Sequence, residues 1–188
     1  MTSATASALV GRGADIFSRL TARDRQNASW SRSAHWVGLT RLGLTAPAKW
    51  TAAQARELDD LVAGMESLSA QDPSNAAAVV DLSQGLRLKA LRSLATGDVA
   101  GARQVATDAH RRMSDLVAST DYSAQRLAEL ARAAEVLGTT QAAGGDHAAA
   151  LATWTGAADL LDSHAQQTFE FHPVRRLLAI NLGQSGRL

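Results

Sequence analysis

At 188 residues the chain is long enough to bury a sizeable core, and the absence of cysteine excludes disulfide frameworks, thiolate metal sites and cysteine nucleophiles. Its net charge of +1 conceals a gradient: residues 1–56 carry eight Arg or Lys against Asp15 and Asp24, a local +6 that leaves −5 on the remainder. Alanine is abundant and proline is confined to Pro47, Pro73 and Pro173, so an all-α protein is expected.

In chain order, amphipathic periodicity predicts helices near 7–22, 28–43, 48–70, 75–95, 99–119, 122–143, 147–166 and 173–185. The stripe Leu127, Leu130, Ala131, Ala134, Leu137 and Gly138 illustrates the spacing of three and four that puts apolar residues on one helix face. The turns carry Gly for left-handed backbone and Asp or Ser for N-capping. Two of these turns are the same. GDVAGARQVATDA from Gly97 returns 48 residues later as GDHAAALATWTGA from Gly145, with Gly, Asp, Ala, Ala, Thr and Ala at matching places. LTARDRQNASW from Leu20 likewise returns as LSAQDPSNAAA from Leu68, and a third version starts at Leu116. A period of this size marks an array of repeated units, each of two helical segments.

In LGTTQAAGGDHAAALATWTGA, the pair Leu137-Gly138 is followed by Gly145-Asp146, Ala150, Trp154 and Ala157. These residues resemble the tetratricopeptide repeats, in which small side chains let two antiparallel helices approach while an aromatic fills the gap to the next unit. The preceding unit has Ala90, Gly97-Asp98, Ala102, Ala106 and Ala109, with Ala replacing the aromatic. The units are longer than the family's, which run about 34 residues. The resemblance implies antiparallel helix hairpins stacked as a right-handed superhelix over one domain, 1–188. The segment ending FSRLTARD aligns with a second helix and RRLLAINLGQSGRL with a first helix, so both ends read as half repeats of a longer array. Self-association through those ends is expected.

The resemblance further implies that first helices line a concave groove. The matching positions are Trp36, Leu39, Gln84, Arg87, Leu91, Arg132, Glu135, Thr139, Arg176 and Ile180. Arg87, Arg132 and Arg176 suggest an acidic protein or peptide ligand. The family's Lys and Asn carboxylate clamp is missing, so chaperone tails are not the expected partner.

Asp159, Asp162, His164, Glu170 and His172 lack metal-ligand spacing, and Asp59-Asp60 point to different helix faces. Neither a GxSxG nor a Walker-type loop occurs, and His35, His110 and His147 are scattered. Trp30, Trp36 and Trp50 read as core packing. No catalytic, cofactor-binding or metal role is therefore assigned, and no nucleic-acid module accompanies the basic quarter. No apolar run reaches the roughly 18 residues of a membrane span. The expected protein is a cytoplasmic, non-catalytic interaction scaffold of a larger signalling protein. The alternative is a regulatory helical tail of an enzyme whose catalytic part lies outside this chain.

Overall fold

The computed structural model of the chain describes residues 3–24, 26–119 and 123–165. These form α1 (Ser3–Arg23), α2 (Ala28–Gly43), a 3-10 turn (Pro47–Lys49), α3 (Ala52–Gln71), α4 (Ala76–Ala95), α5 (Val99–Ser119), α6 (Ala124–Ala143) and α7 (His147–Ala165). The protein is all-α, with no strand among the described residues. Among those residues no helix is long and apolar enough to cross a membrane. The segment expected at 173–185 lies outside them.

Capping explains the helix ends. Asn27 accepts from the Trp30 amide at 3.1 Å and Ser123 from the Arg126 amide at 3.3 Å, each satisfying an orphan donor of the first turn. α3 begins later than the periodicity suggested. Thr51 and Gln54 form a reciprocal capping box there, while Pro47–Lys49 close a separate short turn.

The two Gly-Asp joints share one hydrogen-bond pattern. Gly97 and Gly145 have φ of 87° and 81°. The Asp98 amide reaches back to the Ser93 carbonyl at 3.0 Å, and the Asp146 amide to the Gln141 carbonyl at 2.9 Å. This is a Schellman ending, with glycine in the left-handed position. Each Asp then caps the next helix, accepting from the Gly101 amide at 2.9 Å and from the Ala149 amide at 3.2 Å. One dipeptide therefore ends one helix and starts another.

The chain divides into two compact units, Met1–Leu88 and Lys89–Leu188. In the first, α2 packs against both α1 and α3. Its core includes Leu39, Leu42, Leu58, Val62, Met65, Leu82 and Leu86. Trp50 is buried as well, and its indole N–H donates to the Thr45 carbonyl at 2.9 Å, tying down the loop between α2 and α3.

In the second unit α6 packs between α5 and α7. A helix covered on two sides must be apolar around most of its circumference, and α6 buries Leu127, Ala128, Leu130, Ala131, Ala133, Ala134, Val136 and Leu137. Each buried Leu contributes roughly 1.5–3 kcal/mol. α5 buries a narrower stripe of Ala102, Ala106, Ala109, Met113 and Val117. Its alanines permit close approach, and Ala90, Ala106, Val136 and Leu137 form one cluster.

Candidate functional site

The expected groove positions in the first unit have different fates. Trp36 is 48% exposed, an uncommon placement for an indole, whereas Leu39 is fully buried and serves the core. Gln84 and Arg87 are half-buried and lie one turn apart on α4. Of the other two N-terminal indoles, Trp30 is half-buried and Trp50 buried, so core packing describes Trp50 but not Trp36.

The same two helices, α2 and α4, also carry a polar cluster. The Arg32 guanidinium donates through Nε to Asp81, whose side chain is only 5% exposed, joining α2 to α4. Burial pushes the Asp81 carboxyl above its ordinary range, and Arg32 and His35 oppose that shift. The His35 ring sits against Gly64, where a Cβ would come within 2.4 Å of its Nε2. Its Nδ1 is buried without a hydrogen-bond partner. Burial holds its pKa below the ordinary value, with Asp81 pulling the other way. This arrangement favours a neutral imidazole beside an anchored ion pair.

In the second unit Arg132, Glu135 and Thr139 occupy one half-buried stripe of α6. Arg132 faces the buried Glu129 at 3.5 Å, so its charge is partly compensated. The Glu135 carbonyl accepts from both the Thr139 hydroxyl at 2.8 Å and the Trp154 indole at 3.2 Å. Leu91 packs against the cluster around Ala90 and Ala106. Arg176 and Ile180 lie outside the described residues, as do Leu177, Leu178 and Leu182 of the end expected to self-associate.

Counting by 48 refines the arginine row. Trp36, Gln84 and Arg132 form one equivalent series, and Leu39, Arg87 and Glu135 another. Arg87 and Arg132 are thus one turn apart in the repeat frame rather than at the same place. The same count exposes a pair that the motif reading passed over. Asp81 and Glu129 are 48 residues apart, and both are buried. Their signal was present as a single acid within each of the apolar runs VVDLS and LAELA.

Among the described residues no group of three His, Asp or Glu side chains is placed to hold a metal ion. Asp159 and Asp162 are exposed on α7, and Asp59 and Asp60 are exposed on α3. The His164 side chain, Glu170 and His172 are not described. Comparison with family models, curated proteins and solved structures finds no match to this chain.

Proposed function

We propose that the chain is a non-catalytic protein-interaction module of elongated, tetratricopeptide-like hairpins, belonging to a larger scaffold or signalling protein. The outward faces of its first helices would receive an acidic, extended or helical partner segment. The observation carrying this reading is the duplicated joint at Gly97-Asp98 and Gly145-Asp146, with matching hydrogen bonds and buried small residues following it at Ala102 and Ala150. Such duplication builds a series of similar faces, which suits recognition of elongated ligands. Within the first unit Trp36 supplies an exposed aromatic of the type that dominates binding hot spots.

The partner would be isolated by pull-down and its affinity measured by calorimetry at two salt concentrations. Trp36→Ala should weaken binding by about 2 kcal/mol. Arg87→Ala in the first unit and Arg132→Ala in the second, each made singly, should reduce the salt dependence while helicity stays constant. If all these variants bind as the wild type does at both salts, the proposed faces are not the recognition surface.

A further inference from the structure

The outer face of α1 carries a second feature, separate from the first-helix faces above. Residues on a helix advance by about 100° each, so Leu9, Ile16 and Leu20 share a stripe, with Arg12, Arg19 and Arg23 on the stripe beside it. Leu9 is 53% and Ile16 48% exposed, and all three Arg are exposed. A different side of α1 serves the fold. Val10, Phe17 and Thr21 are half-buried there, and Gly13 lies near Val37 of α2. Arg19 donates to its own helix at the Asp15 carbonyl, 3.2 Å away. Among the described residues, none of the three guanidinium groups has a carboxylate within ion-pair distance. A shallow concavity of about 470 Å³ is lined by Ile16, Arg19, Leu20, Ala22 and Arg23.

We propose that this face of α1 docks an acidic amphipathic helix of a partner protein. Its apolar side chains would lie along Leu9, Ile16 and Leu20, and its carboxylates would meet Arg12, Arg19 and Arg23. The seam from Leu9 to Arg23 spans about four helical turns, which matches a partner helix of similar length. Charge selects this occupant. A second copy of α1 would set Arg against Arg, which costs free energy rather than providing it. An anionic membrane is disfavoured because an interfacial helix buries its whole apolar face in lipid, and here much of that face is turned towards α2.

The test uses the whole chain and a synthetic helical peptide with Leu at heptad positions a and d and Glu at e and g. Fluorescence anisotropy should show saturable binding that weakens by about tenfold or more in Arg12→Glu, Arg19→Glu, Arg23→Glu combined. The same peptide with Lys in place of Glu should bind this charge-reversed chain and not the wild type, a rescue that a misfolded variant could not show. Ile16→Asp should also weaken binding, and Leu151→Ser on the exposed side of α7 should leave it unchanged. The proposal is overturned by the absence of saturable binding to the acidic peptide, or by equal binding to wild type and charge-reversed chain. It is equally overturned if phosphatidylserine vesicles, and not the peptide, are bound through the three arginines.

Discussion

The Trp154 indole occupies the space that a side chain on Gly138 would need: a Cβ there would fall 2.2 Å from the indole nitrogen. The same nitrogen donates to the Glu135 carbonyl one turn earlier on α6. A rigid, hydrogen-bonded ring cannot yield, so Gly138→Ala should destabilise the protein by about 1–3 kcal/mol through overpacking. The improved helix propensity of alanine offsets only part of this. Forty-eight residues earlier the pair reads Ala90 and Ala106, both fully buried, where two small side chains share the task. Trp154→Ala alone should cost about 3–5 kcal/mol. The double variant recreates the Ala90 and Ala106 combination and should be less destabilised than the sum of the singles. Urea denaturation of all four proteins measures the coupling, and strict additivity would contradict the steric account.

The joints make a second prediction. Gly97→Ala and Gly145→Ala each force a side chain into left-handed backbone and should cost about 1–2 kcal/mol. Asp98→Ala removes the bond to the Gly101 amide and should cost about 1 kcal/mol. Asp146→Ala also loses an exposed ion pair with Arg103 at 2.8 Å, so it should destabilise in the same direction. Thermal melts compare the four variants.

Removing either partner of the Arg32 and Asp81 pair should have unequal effects. Arg32 is 43% exposed and can rehydrate when Asp81 is lost, whereas Asp81 at 5% cannot. Arg32→Ala should therefore be the more damaging change, by about 2 kcal/mol at neutral pH. Without Arg32 the Asp81 carboxyl rises further, and the folded state loses stability as pH climbs through that raised pKa. The variant should recover towards wild type in acid, where Asp81 is neutral. Denaturation at two pH values measures both effects.

Histidine sets the opposite slope. Burial lowers the folded pKa of His35 and His110 below 6.5, with Asp81 opposing the shift at His35. Near that pH the unfolded chain takes up protons that the folded rings refuse, so stability is present above 6.5 and is lost as pH falls towards the folded values. His35→Gln should flatten this dependence while leaving the part due to His110. Melting temperature measured across the window tests it, and an unaltered slope would remove His35 from the account.

How much of this was legible in the sequence varies with the range of the interaction. Caps and Schellman joints are formed by atoms three to five residues apart, so the two Gly-Asp pairs announced helix boundaries unaided and the period of 48 announced their repetition, whereas Ser123, expected inside a helix from 122, caps it instead. α3 was less legible: its start was expected at 48, whereas Pro47–Lys49 close a separate turn and the capping box of Thr51 and Gln54 starts the helix at Ala52. Trp36 and Leu39 sit three positions apart on α2, yet one is half in solvent and the other fully buried. Local spacing cannot separate them, because burial depends on where neighbouring helices lie. Asp81 finds Arg32 49 residues away, and Gly138 receives an indole 16 residues further along the chain. The sequence by itself determined the helices and their repeated joints, since those bonds close within a turn. Only tertiary packing decided which indole faces water, which acids are buried and that Arg32 meets one of them, since these depend on the desolvation and contact of surfaces brought together by folding.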